Sequence, residues 1–258
     1  MFKYLYLIFR VGPFVIIDYF WWMLRYSWHP QKYPRELRYN RVRNLILRLT
    51  RALHIQVYGE NLHYLNDGNI YYIVGNHFSY MDPLMLIVLS EKPITFVSKI
   101  EVTKYPFIGR ILRIIEGTFI DRNNLKQEVK VVRTVKASLD KKDISWSIFA
   151  EGTRNRDVNA PMKDFRGGTF KIAYDTKTTI LPVALYGTHY PLSMKHQWKW
   201  FPIQVRVYPP IPYEQYKDRN TNEIAREIQD MMQQGVDQLR ATDVELTKNV
   251  HKRLKKKD

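Results

Sequence analysis

Ile70-Tyr71-Tyr72-Ile73-Val74-Gly75-Asn76-His77-Phe78-Ser79-Tyr80-Met81-Asp82-Pro83 is the stretch that decides the fold. Its first five residues have the apolar and aromatic character of a buried strand, and Gly75 ends the run. Pro83 sits in the first turn of an apolar stretch, residues 84–89, that reads as a helix. A histidine therefore leaves a strand end, and a carboxylate follows five residues later near a helix start. That spacing can bring His77 and Asp82 together. One imidazole nitrogen would then donate to Asp82 while the other faces a substrate. Asp82 would fix the tautomer and stabilise the imidazolium that forms when His77 takes a proton. The same spacing also reads as a structural histidine–aspartate hydrogen bond.

A second polar block, Glu151-Gly152-Thr153-Arg154, follows another strand-like run over residues 145–149. Two polar clusters at strand ends are where open α/β sheets place their sites. Further strands are predicted over 55–58, 94–98, 117–120, 179–185 and 203–207. Helices are predicted over 35–53, 125–139, 169–174 and 222–239, and the stretch 104–110 breaks and restarts a helix running to about 115. Strands alternate with helices, so the expected fold is α/β: a mixed, largely parallel sheet flanked by helices. Arg166-Gly167-Gly168 reads as a tight turn or as a phosphate-cradling turn at a helix start. Residues 189–200 are expected to form an irregular, exposed loop.

Residues 1–28 are aromatic and aliphatic, with Lys3, Arg10, Asp18 and Arg25 interspersed and Gly12-Pro13 interrupting the run. No segment reaches the ~20 uncharged apolar residues of a simple spanning helix. Two short helices lying in a bilayer surface fit, and so does a helical hairpin packed on the protein's own core. A signal peptide does not fit, because no small-residue cleavage site follows. In the next helix Leu37, Leu45, Leu49 and Leu53 recur at helical spacing among Arg35, Arg38, Arg41, Arg43, Arg48 and Arg51. Such a basic amphipathic helix suits an anionic bilayer, nucleic-acid phosphates or plain solvent. The expected domains are a helical, membrane-associated segment (1–54), an α/β domain (55–240) and a basic tail (241–258).

The formal charge of +16 over 258 residues predicts an anionic partner. Nucleic acid has no supporting motif: there is no zinc-finger spacing, RNP-type sequence or basic zipper. The absence of cysteine excludes a disulfide framework and a thiolate metal site. Seven histidines show no metal-ligand spacing, so no metal is expected. No Walker loop, Gly-x-Gly-x-x-Gly turn or Gly-x-Ser-x-Gly elbow appears, and no cofactor is expected.

The blocks together resemble a family. The segment from Asn76 to Asp82 resembles the NHxxxxD motif of the glycerolipid acyltransferases. Lys99 with Pro106 and Gly109, then Gly117-Thr118-Phe119-Ile120-Asp121-Arg122, resemble its second and third blocks. Phe149-Ala150-Glu151-Gly152-Thr153-Arg154 resembles its FPEGTR block, and Ile180-Leu181-Pro182-Val183 its proline-containing one. The order is the family's, over roughly residues 70–187. Within the family the chain most resembles the bacterial 1-acyl-sn-glycerol-3-phosphate acyltransferases of the PlsC type. Ala150, Asn155 and the stretch Arg166-Gly167-Gly168-Thr169 depart from the usual pattern, which bears on fine substrate specificity.

The resemblance implies an enzyme that moves a fatty acyl group from an acyl thioester to the sn-2 hydroxyl of lysophosphatidic acid. The thioester is acyl-CoA or acyl carrier protein, and the product is phosphatidic acid. His77 is then the general base, worth ~10²–10⁴-fold, and Asp82 positions it. Arg122, Arg154 and Lys99 bind the substrate phosphate, because guanidinium forks and ammonium groups match phosphate oxygens. Glu151, Gly152 and Thr153 are substrate-binding. Glu151 binds a glycerol hydroxyl or orients Arg154, with a purely structural carboxylate as the other reading. The amides near the helix start after His77 are candidate oxyanion donors. The implied setting is an anionic membrane surface at the cytoplasmic face of the cell membrane. Two alternatives stand beside this reading. One is an acyltransferase for another lysophospholipid or glycerol 3-phosphate; the other is a non-catalytic membrane lipid-binding protein.

Overall fold

A computed structural model of the chain describes residues 9, 12–121, 123–193 and 199–255. Helix α1 (Gly12–Asp18) runs through a π-helical turn (Tyr19–Met23) into α2 (Leu24–Trp28). A short 3₁₀ turn (Pro30–Lys32) comes next, and α3 (Arg35–Ala52) follows. Next come β1 (Ile55–Glu60), β2 (Tyr72–Gly75), α4 (Met81–Leu89), β3 (Ile94–Lys99), α5 (Pro106–Ile114) and β4 (Thr118–Ile120). The chain continues through α6 (Leu125–Asp140), β5 (Ser145–Phe149), α7 (Gly167–Asp175), β6 (Ile180–Tyr186), β7 (Phe201–Val207), α8 (Tyr213–Tyr216) and α9 (Thr221–Lys255). Local chemistry sets several of these starts. Asn124 caps α6 by accepting from the Gln127 amide. At the start of α9, Asn220 accepts from the Glu223 amide, and the Glu223 carboxylate reaches back to the Asn220 amide.

The strands form one sheet in the order β1-β7-β6-β2-β5-β3-β4. From β6 through β4 every pairing is parallel, whereas β6 and β7 are antiparallel. The four residues of β2 are all buried, which is why the strand reads as a continuous apolar run rather than an alternating one. Helices α1 to α5 cover one face, where Met23, Tyr39, Val42 and Met85 pack with Ile73, Phe96 and Val183. Helices α6, α7 and α9 cover the other, where Val135, Phe170 and Ile228 pack with Val74 and Trp146. The connections after β2 and β3 thus cross one face, and those after β4 and β5 cross the other. Neighbouring strands β2 and β5 send their chains to opposite faces, which opens a crevice beyond their carboxyl ends.

Several expectations change. The boundary at 54/55 marks no change of core, because Trp22, Met23 and Tyr26 are buried in the same cluster as the sheet. The opposite side of α1 and α2 exposes Phe14, Ile16, Ile17, Phe20, Trp21 and Trp28. Among the described residues no helix is long and apolar enough to cross a membrane. Four of the six arginines of α3 are tied down and two, Arg41 and Arg51, stay exposed. Arg35 and Arg38 bind Glu116, Arg43 donates to the Val88 carbonyl, and Arg48 pairs with Asp18. The boundary at 240/241 falls inside α9, where Asp243 and Val250 are buried, so the expected tail is largely a continuation of that helix. Gly167 and Gly168 open α7 instead of making a tight turn. A side chain at Gly167 would strike Asn222 at 1.9 Å, so close packing on α9 explains this glycine. The segment expected to be exposed after β6 starts with Tyr190 and Pro191 buried; residues 194–198 lie outside the described residues.

Candidate active site

The parallel register aligns Gly75 of β2 with Phe149 of β5. Two residues beyond each, His77 and Glu151 leave the sheet at the same level. The Glu151 Oε1 atom accepts the His77 amide at 2.7 Å, and Oε2 accepts the Lys163 amide at 3.0 Å. Burial raises the Glu151 carboxyl, and the two amides only partly offset it. A further tie runs from the Asn155 amide to the His77 carbonyl at 2.7 Å. His77 thus has both backbone polar groups fixed by the loop that follows β5. Asn76 does the same on the other side, exchanging two hydrogen bonds with Leu185 at the end of β6.

The imidazole is fixed as firmly as its backbone. His77 Nδ1 lies 2.7 Å from Asp82 Oδ2, and Asp82 is fully buried. The same oxygen accepts the Phe78 and Ser79 amides, each at 2.8 Å. Three donors on one oxygen hold the carboxylate in place at the start of α4. The contact assigns the Nδ1 proton to Asp82 and leaves the Nε2 lone pair for a substrate proton. Phe149 stacks on the ring, with centroids 4.1 Å apart and planes 14° apart. Gly75 makes this possible: a Cβ there would lie 3.3 Å from the Phe149 ring.

Arg154 sits beside this pair. Its guanidinium carbon lies 3.6 Å from the centroid of the Tyr80 ring, and no carboxylate pairs with it among the described residues. Gly152 shapes the turn that leads there, with φ at +71° and its amide on the Phe149 carbonyl at 2.9 Å. Thr153 is half-buried in the same turn.

The structure therefore brings together His77, Asp82, Glu151, Gly152, Thr153 and Arg154. Lys99 stands exposed at the carboxyl end of β3, with β5 lying between β3 and β2. It is on the same edge as His77, about 10 Å away across the sheet. Arg122 lies outside the described residues. Glu151 takes the structural reading of the alternatives above: it is buried and each of its oxygens accepts a backbone amide, so the geometry gives it a positioning role. The oxyanion expectation also changes, because the Phe78 and Ser79 amides serve Asp82 and the Met81 amide serves Ser79 Oγ. Sequence reasoning missed Phe149 as the ring's support, Tyr80 as a platform for Arg154, and the Lys163 amide. The glycine two residues before His77 is the available signal for the first.

A histidine held by a buried carboxylate in the crevice of an open α/β sheet occurs in many enzymes, so comparison decides the family. The acyltransferase family model matches residues 54–186, more than half of the chain and all of the site just described.

The chain belongs to the acyltransferase family.

Its relatives agree. A 1-acyl-sn-glycerol-3-phosphate acyltransferase of Borreliella burgdorferi is 34% identical over 121 residues, which is 45% of this chain and 46% of that one. A protein of Mycoplasma genitalium described as a probable enzyme of the same name is 32% identical over 170 residues, covering 62% of this chain and 59% of that one. The chain thus spans about half to three fifths of the length of these curated relatives. The 1-acyl-sn-glycerophosphate (LPA) acyltransferase PlsC from Thermotoga maritima superimposes with a TM-score of 0.75 over 93% of this chain and 95% of that one. At 20% identity that likeness is one of fold, and it matches the mixed, largely parallel sheet flanked by helices.

Proposed function

We propose that this acyltransferase moves a fatty acyl group from an acyl thioester to the sn-2 hydroxyl of lysophosphatidic acid, giving phosphatidic acid. The observation that carries the reading is the 2.7 Å contact between His77 Nδ1 and the buried Asp82, with the Arg154 fork, which no carboxylate among the described residues pairs, beside it. His77 Nε2 takes the hydroxyl proton while the acceptor oxygen attacks the thioester carbonyl. The tetrahedral intermediate collapses, the carbon–sulfur bond breaks, and the imidazolium returns its proton to the departing thiolate. No covalent acyl-enzyme is required, in keeping with a chain that has no cysteine and no serine elbow. A thioester is already activated, so orientation and general base catalysis supply most of the acceleration. The donor is acyl-CoA or acyl carrier protein.

Both substrates carry fatty chains, and the exposed face of α1 and α2 offers a seat on the bilayer. Phe14, Ile17, Phe20 and Trp21 are each more than half exposed. The only carboxylate in that helix, Asp18, turns inward to Trp22 and Arg48. We place the protein at the cytoplasmic face of the cell membrane, peripheral or monotopic. The test is thiol release from an acyl-CoA in the presence of lysophosphatidic acid. Release by the wild type, reduced ~10²–10⁴-fold in His77→Ala, is the expected result. A wild type that releases thiol only with a different lysophospholipid would move the acceptor assignment. Unchanged release in His77→Ala would end the base assignment. For the membrane seat, Ile17→Glu with Trp21→Glu should abolish flotation with anionic vesicles.

A further inference from the structure

Among the described residues no carboxylate pairs with Arg154; it meets an aromatic ring, and that ring belongs to the turn that carries the catalytic pair. Tyr80 is 46% exposed in the turn between His77 and Asp82, whereas the apolar Phe78 and Met81 of the same turn are buried. Its backbone is rigid. The Ser79 amide before it is bound to Asp82, and the Met81 amide after it is bound to Ser79 Oγ. On the other side, the Arg154 carbonyl accepts Lys163 Nζ at 3.0 Å, and the next amide, of Asn155, is bound to the His77 carbonyl.

A guanidinium carbon 3.6 Å from a ring centroid is at the contact distance of two flat groups laid face to face. Such a stack uses the guanidinium's face and leaves its in-plane N–H donors for a ligand. Those donors match a phosphate only when the plane of the fork contains the phosphate oxygens. A ring can set that plane without cancelling the charge, which a carboxylate would do.

We propose that Tyr80 is a positioning residue: its ring presets the Arg154 fork to take the phosphate monoester of the acyl acceptor. This rests on the acyltransferase reading above. One turn, residues 77–82, then supplies the base, its carboxylate and the platform of the anion site, so phosphate capture and proton removal keep a fixed spacing.

Steady-state kinetics test it, with lysophosphatidic acid and an acyl-CoA varied separately. Tyr80→Phe keeps the ring and should behave within about twofold of the wild type. Tyr80→Leu removes it and should raise KM for lysophosphatidic acid roughly three- to thirty-fold, with kcat and the acyl-CoA KM nearly unchanged. In an Arg154→Ala background, Tyr80→Leu should have no further effect. An effect that persists without Arg154, one confined to kcat, or one equal in Tyr80→Phe and Tyr80→Leu overturns the proposal. A rise in the acyl-CoA KM alone assigns the fork to the donor's phosphates and also overturns it. Failure of the wild type to use any lysophospholipid is a different result, because it removes the functional reading itself.

Discussion

At the carboxyl edge of the sheet, the buried carboxylates are held by backbone amides; at the amino edge, carboxylates are held by arginines. Asp82 and Glu151 together accept four main-chain amides, besides the His77 ring. At the other end, Glu116 binds Arg35 and Arg38, and Asp143 binds Arg35 at 2.5 Å. Arg38 also donates to the carbonyls of Tyr33, just before α3, and of Ile114, so Arg35 and Arg38 together fasten α3 to the segments entering β4 and β5. The chemistry of the holder tells the two ends apart. Amides hold a carboxylate without spending a cation, so an arginine remains available for substrate. Arginines that hold carboxylates have their charge cancelled and serve as fasteners. An ion pair buried at the site would have stabilised it no better and would have left nothing for a phosphate.

The sharpest way to break this contrast is to disturb the Asp82 oxygen. Asp82→Asn keeps the shape but presents an amide dipole where a carboxylate held the Nδ1 proton. We expect kcat to fall on the order of 10³–10⁴-fold, as when a triad carboxylate is amidated. An activity within tenfold of the wild type would mean that the His77 tautomer is set elsewhere.

Glu151 separates positioning from substrate contact. Glu151→Gln leaves one oxygen for two amides, so either the His77 or the Lys163 amide meets an NH₂ group. A lost acceptor for a buried amide costs about 1–3 kcal/mol. The melting temperature should fall roughly 2–10 °C. Displacement of His77 should lower kcat by about 10²-fold while KM for the acceptor holds. A raised acceptor KM with no change in melting temperature would restore the glycerol-binding reading. A smaller effect of the same kind is expected from Gly75→Ala. Its new methyl lies against the Phe149 ring and tilts the stack under His77, lowering kcat roughly three- to tenfold with little loss of stability.

The two ends also differ in how far the chain could be read in advance. The α/β class, most strand positions and the clustering of His77, Asp82 and Arg154 follow from local signals. A strand run, a glycine and a polar block each lie within a few consecutive residues. What local reading missed depends on pairing between distant segments. The Phe149 stack exists because β2 and β5 are parallel and in register, although 74 positions separate Gly75 from Phe149. The amino-edge cluster joins Arg35 to residues 81 and 108 positions away. Composition alone made α3 look like a charged outer face. Folding tied down four of its arginines, because each found a carboxylate or a carbonyl. The C-terminal stretch was misread for a similar reason. Its lysines suggest a tail, but Asp243 and Val250 face the domain and carry the helix on.

The amino edge yields the smallest effect and a clean sign. Burial alone would raise the Glu116 carboxyl, but hydrogen bonds from Arg35 and Arg38 override it and hold the group below its ordinary 4.5. The hydrogen bond from Arg35 likewise holds Asp143 below its ordinary 3.8. A carboxyl depressed by folding is protonated first in the unfolded chain. Its contribution is therefore complete above the ordinary value and is lost as pH falls through the lowered one. Glu116 and Arg35 are both partly exposed, so the pair is worth only about 1 kcal/mol. Glu116→Gln should then lower the melting temperature by roughly 2–4 °C at pH 7, with acyl transfer unchanged. Measured at successively lower pH, the gap between wild type and variant should begin to close near pH 4.5 and vanish below the depressed value. Glu151 is shifted the opposite way and titrates identically in both proteins, so it cancels in the difference. A gap that stays constant through acid pH would mean that Glu116 acts through shape and not charge, and the distinction drawn between the two ends of the sheet would lose its electrostatic half.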